Sequence, residues 1–214
     1  MKFYYVKNDD RMEENYKNII TTFYNKEKAN LKTDVSHKSA TFYCLAKNES
    51  QIVAIVSCNV ETIKVENAPE IKAADFYGIT TVKTNGIKGR SYKGKRVNGK
   101  ITANMNYNRY ITKDLMNYAL KKAKEKHEIN LAFVQSGNCV KFFKELGFKN
   151  LTEDITLTDV LKIYNYEKKL FYKTVNPSDK DNTLDKEEKV KLNYHRREAV
   201  RNIIKNIKNA QPVQ

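Results

Sequence analysis

The strongest chemical signal in this sequence is a stretch of positive charge with no counter-charge. Residues 85–100 read NGIKGRSYKGKRVNGK, with four of the seven glycines, six Lys or Arg residues and no acid. Lys88, Arg90, Lys93, Lys95, Arg96 and Lys100 on a glycine-rich backbone suit contact with phosphates, and Tyr92 among them can stack on a base. Three readings fit: a phosphate cradle, an arm for nucleic acid, or a solvated insertion. The G-x-x-x-x-G-K-[ST] order of a P-loop is missing, and no strand–loop–helix frame surrounds the segment. Because acids are absent throughout, contact with a polyanion is the favoured reading.

Other chemistry is excluded by spacing. Cys44, Cys58 and Cys139 are odd in number and form no CxxC pair, which argues against a disulfide framework and a zinc site. His37, His127 and His195 show no ligand spacing with them, so no metal is expected. Cys139 falls on the apolar side of an expected helix, where a thiol acts as a small hydrophobe and not as a nucleophile.

The whole chain repeats the bias of the loop. Forty Lys or Arg against 25 Asp or Glu give a net charge of +15, a field that favours polyanions such as nucleic acid. At 214 residues, 40% of them hydrophobic, the chain suits one domain and an appendage. The apolar run IVAIV at 52–56 is too short for a membrane span, and MKFYYVKNDD lacks the apolar stretch of a signal peptide. A reducing, cytoplasmic setting is expected.

These residues must be positioned by an α/β framework. KFYYV at 2–6 reads as a strand; Asp10 and Glu13 resemble a capping box before a helix carrying Tyr16, Ile19, Ile20 and Phe23. ATFYCLA at 40–46 and QIVAIVSCNV at 51–60, separated by KNES, read as a hairpin. AADFYGITTV at 73–82 is a further strand. A helix is expected from about 109 to 126, with Ile111, Leu115, Ala119 and Ala123 on one face, then a strand at 131–135 and a helix at 136–148. Gly147 sits where that helix needs a left-handed end. The span 148–173 reads as strand-rich. The order implies a mixed sheet with an antiparallel beginning and one parallel crossover.

This order, and above all LAFVQSGNCVKFFKELGFKN at 131–150, resembles the GNAT acetyltransferase superfamily, whose members carry a strand followed by a short helix ending in Gly-Phe. The resemblance covers residues 1–173, with a basic insertion at 84–106. It implies a mostly antiparallel central sheet flanked by helices and acetyl-CoA, or another acyl-CoA, as cofactor. The family's pyrophosphate loop falls on Tyr107 to Thr112, YNRYIT, which has no glycine. The grip would then come from helix-start amides with Arg109, Tyr110, Ile111, Thr112 and Lys113. Asn138 would bond the pantetheine arm or cap its helix.

In the family an amine attacks the thioester directly, and the carbonyl is held by an amide of the fourth strand, here Thr81, Val82 or Lys83. A base must take the proton of the amine. Asp75 is the preferred candidate, with Glu61 and Glu66 as alternatives. The resemblance also places a proton-donating Tyr where this chain has Phe143, so Tyr164 or Tyr166 is expected to protonate the leaving thiolate. The acceptor amine is expected on, or associated with, nucleic acid. A catalytically silent nucleic-acid-binding or base-modifying protein on the same fold is the rival.

The C-terminal region completes the expectation. Residues 174–188 read as a linker and 189–214 as an amphipathic basic helix and tail. Val200, Ile203, Ile204 and Ile207 form an apolar stripe, and Arg197, Arg201, Lys205 and Lys208 form a basic one. The apolar stripe should dock on the domain or on a second copy, giving a homodimer.

Overall fold

The computed structural model describes residues 1–9, 14–27, 40–49, 51–81, 96–97, 100–101, 103–136, 139–150, 169–176 and 180–209. Its elements are β1 (Lys2–Lys7), α1 (Glu14–Glu27), β2 (Phe42–Asn48), β3 (Gln51–Ile63), β4 (Ile71–Thr81), β5 (Arg96–Val97) and β6 (Lys100–Ile101). They continue as α2 (Ala103–His127), β7 (Leu131–Ser136), α3 (Val140–Glu145), β8 (Lys149–Asn150), β9 (Lys169–Thr174), α4 (Lys180–Thr183) and α5 (Lys186–Asn209). Seven strands form one sheet in the order β1-β2-β3-β4-β7-β9-β8, while β5 and β6 pair separately. The pairing is antiparallel for β1–β2, β2–β3, β7–β9 and β8–β9, and parallel for β4–β7. The chain leaves β4 and returns parallel through α2, as the expected crossover requires.

Two compact units divide the chain. The first holds Met1–Cys58 and Tyr77–Ala119. Here β2 and β3 form the hairpin expected from their apolar runs, in register from Phe42↔Cys58 to Asn48↔Gln51 with a bulge at Ala46/Lys47. Ile20 of α1 is buried with Val6, Tyr43, Leu45 and Ile55. Lys47 lies between the rings of Tyr4 and Tyr16, 5.0 Å from each centroid, so its charge is held by two aromatic faces. The proposed capping box at Asp10 and Glu13 lies outside the described residues.

In the same unit, α2 begins at Ala103, earlier than the expected start near Arg109. Periodicity marks only the buried part of a helix: Ile111, Leu115, Met116 and Ala119 are buried, whereas the preceding ANMNYN is polar and carries no apolar stripe. Nothing in those residues breaks a helix, so the coil continues back through them. Strand β4 carries a left-handed residue at Gly78, φ 57°, a backbone state that costs glycine little.

The second unit holds Asn59–Phe76 and Leu120–Gln214. Its core joins Ile63 of β3, Ile71 and Ala73 of β4, Leu131 and Phe133 of β7, Leu170 and Tyr172 of β9, and Ala199, Val200 and Ile203 of α5. Val200 and Ile203 of the expected apolar stripe therefore dock on the sheet, together with Ala199. Asp185 and Glu188 cap that helix reciprocally: Glu188 N–H donates to Asp185 Oδ1 at 2.8 Å, and Asp185 N–H to Glu188 Oε2 at 3.0 Å.

The expected helix at 136–148 is shorter than its sequence pattern. Ser136 still belongs to β7, and α3 runs only from Val140 to Glu145. Cys139 is its N-cap and is exposed, not turned inward as the pattern implied. The far end follows expectation. Gly147 has φ +80°, its N–H bonds Lys144 O at 2.9 Å, and Lys173 Nζ donates to Leu146 O at 2.8 Å. The expected strands after 148 are β8 and β9, while 151–168 lie outside the described residues.

A candidate acid–base site at Asp75

The second unit places a carboxyl group on an apolar sheet face. Asp75 sits on β4 two residues after Ala73, and in a strand such residues share a face. Across the parallel ladder Asp75 is in register with Phe133, which in turn faces Tyr172 of β9. Ala73, Phe133 and Tyr172 belong to the cluster covered by α5. Asp75 itself is half-buried.

Electrostatics follow from this placement. Burial raises the carboxyl of Asp75 from its ordinary value of 3.8 to about 7, and the negative charge of Glu61 pushes in the same direction. Glu61 lies on β3, the neighbouring strand, and burial raises its carboxyl as well. A group that titrates near neutrality can both take and return a proton at working pH, the requirement of a general base. Glu66, the other alternative, is exposed in the turn between β3 and β4.

The remaining expected site residues are dispersed. Thr81 ends β4 and is half-buried, whereas Val82, Lys83, Asn138, Tyr164 and Tyr166 lie outside the described residues. Arg109, Tyr110, Ile111, Thr112 and Lys113 are inside α2, so their amides face carbonyls four residues back. The expectation that they open the helix is corrected: the amides without helical partners belong to its first turn, from Ala103. Tyr110 is exposed, and Ile111 is buried in the core, where its side chain serves packing.

Phe143 is also a core residue. Its ring lies 5.1 Å from those of Phe142 and Phe171 and 5.8 Å from that of Phe148. Of the basic loop, Lys88, Arg90, Tyr92, Lys93 and Lys95 lie outside the described residues. Arg96 and Lys100 belong to the β5–β6 pair, in the register Arg96↔Ile101 and Val97↔Lys100. On α5, Arg197 is exposed, Arg201 is ion-paired with Glu198, and Lys205 lies within the helix. Periodicity had passed over Arg196, a basic residue that is buried and donates to Val175 O at 3.4 Å. Only its spacing from Val200 and Ile203 hinted that it faces the sheet.

Among the described residues no group of three or more His, Cys, Asp or Glu could hold a metal. No described helix is long and apolar enough to cross a membrane.

No family model and no curated protein matches the chain. Solved structures are similar in fold. The NatC complex bound to Gag peptide and CoA matches at TM-score 0.49 and 13% identity, over 82% of this chain and 100% of that one. Arabidopsis thaliana Naa50 with a bisubstrate analogue matches at TM-score 0.47 and 12% identity, over 82% and 100%. N-acetylglutamate synthase from Neisseria gonorrhoeae, with coenzyme A and N-acetyl-glutamate, matches at 0.46 and 10%, over 82% of this chain and 36% of that one. On its own strand order, with a mixed and mostly antiparallel sheet and a parallel β4–β7 crossover through α2, the chain has a GNAT-like fold.

Proposed function

We propose that this chain is an N-acetyltransferase that moves an acetyl group from acetyl-CoA to an amine on, or associated with, nucleic acid. The observation that carries the proposal is Asp75: a half-buried carboxyl, raised to about 7, on the fourth strand of a GNAT-like sheet. It takes the proton of the amine, and the amine then attacks the thioester carbonyl. An amide from Thr81, Val82 or Lys83 steadies the oxyanion, and Tyr164 protonates the leaving thiolate.

Acetyl-CoA would be held by its phosphates. The amides of the first turn of α2, which have no partner within the helix, would offer donors at a helix N-terminus. Asn138 meets the pantetheine arm. The basic segment 85–100 and the +15 charge suit a nucleic-acid-linked acceptor, and exposed Arg197 adds positive charge on α5.

Calorimetric titration with acetyl-CoA, followed by acetylation of amine acceptors, tests this reading. Saturable binding and Asp75-dependent turnover are expected; no heat at any concentration removes it. Two observations favour a second reading, a nucleic-acid-binding protein without transfer: the amides of 109–113 are committed inside a helix, and Phe143 is walled into the core. Gel shifts with tRNA across a salt series, in a chain that binds no acetyl-CoA, would select it.

A further inference from the structure

We propose that the outward face of α5 pairs antiparallel with the same face of a second copy of this chain. Val190 of each copy packs on Tyr194 of the other, and Glu187 of each meets Arg197 of the other. This pairing is independent of the reading of Asp75 and involves no transfer chemistry.

The sheet occupies one side of this helix and leaves the other open. Ala199, Val200 and Ile203 turn into the core of the second unit, and Arg196 reaches Val175 O from the same side. With about 3.6 residues per turn, the opposite side carries Glu187, Val190, Tyr194 and Arg197. Their spacing of three, four and three residues is that of a helix–helix seam. All four are exposed. Val190, 62% exposed, and Tyr194, 57% exposed, lie one turn apart and are two of the four exposed large hydrophobic residues among those described.

Charge selects the occupant. A surface for phosphates would be basic throughout, as the sequence of segment 85–100 is. On α5 the acids return: Lys186, Glu187, Glu188 and Lys189 open the exposed part of the helix, and Lys191 is paired with Glu187 at 3.1 Å. A face of mixed sign, in a chain whose net charge is +15, is a poor match to a polyanion. It matches a surface of the same mixed sign, and a second copy supplies one.

The order of the charges sets the direction. Glu187 precedes the apolar pair and Arg197 follows it. Two parallel helices would set Glu187 against Glu187 and Arg197 against Arg197. An antiparallel pair about a twofold axis midway between Val190 and Tyr194 instead stacks valine on tyrosine and brings Glu187 to Arg197, each contact made twice by symmetry. Lys191 of both copies comes near the axis, where Glu187 of its own helix offsets its charge. Such a contact closes at two copies. The seam from Glu187 to Arg197 is about 15 Å long, which suits a weak, reversible dimer.

The test is sedimentation equilibrium of the full chain over a concentration series, at a salt concentration that screens charges more than about 8 Å apart. The parent chain should pass from monomer to dimer as concentration rises. Glu187→Arg and Arg197→Glu each set like charges against one another in both outer layers, and each should weaken the dimer at least about tenfold. The double variant restores the match and should return to within about threefold of the parent. All of these positions are exposed, and circular dichroism checks that the helices persist. A parent chain that stays monomeric at every concentration overturns the proposal, and so does a double variant that associates no better than the singles. If the parent stays monomeric while Tyr194→Ala weakens its binding to single-stranded RNA, the face is a stacking surface for nucleic acid and the pairing is refuted. Acetyl transfer enters none of these readouts, so the dimer and the enzymatic reading stand or fall separately.

Discussion

Replacing Asp75 with Asn should make this protein more stable at alkaline pH while lowering its turnover, and the size of the gain follows from the carboxyl's displacement. In the folded chain the group holds its proton up to about pH 7, whereas its ordinary value is 3.8. Between those values the native state binds more protons than the unfolded state, so the contribution of Asp75 to stability falls as pH rises. From about pH 5 to 7 that is two pH units, or about 2.7 kcal/mol, with no further loss above. Partial exposure of the side chain screens this to about 2 kcal/mol. Asn keeps the shape of the neutral acid and does not titrate. The measurement is urea denaturation of both proteins at about pH 5 and about pH 8.5, comparing the difference between them and so cancelling every other titrating group. Asp75→Asn should gain about 2 kcal/mol on the parent between the two conditions. A difference that does not change with pH, or that changes in the opposite sense, would refute burial as the source of the shift.

Two further outcomes test the packing around the site. Phe143→Tyr, which supplies the tyrosine that the resemblance implies, should bury a hydroxyl among Phe142, Phe148 and Phe171 and cost about 1–3 kcal/mol in denaturant melts. Asp185→Ala should remove the reciprocal cap of α5 and lower stability by about 1 kcal/mol, with thermal melting as the assay.

Much of the framework was legible because its signals are local. Alternating and continuous apolar runs marked β1, β2, β3, β4 and β7, and the KNES interval marked the hairpin. Gly147 was legible because a helix end needs a left-handed residue, and glycine supplies it at little cost. Boundaries were less legible where the buried face stops before the helix does. The polar turns of α2 before Arg109 carry no apolar period, so they read as loop although they coil. The reverse held for α3, where Cys139 and Leu146 extended the apolar pattern beyond the six helical residues.

Residue types alone determined that this chain would be basic, would build a mixed α/β sheet with a crossover, and would carry Asp75 in an apolar strand. They could not determine what that carboxyl feels, because desolvation and charge coupling depend on neighbours distant in sequence. Only the tertiary structure set Asp75 in register with Phe133, on the face roofed by Val200 and Ile203, with Glu61 on the adjacent strand. A strand says which way a side chain points; the elements packed against it decide how little water reaches it and whose charge it meets.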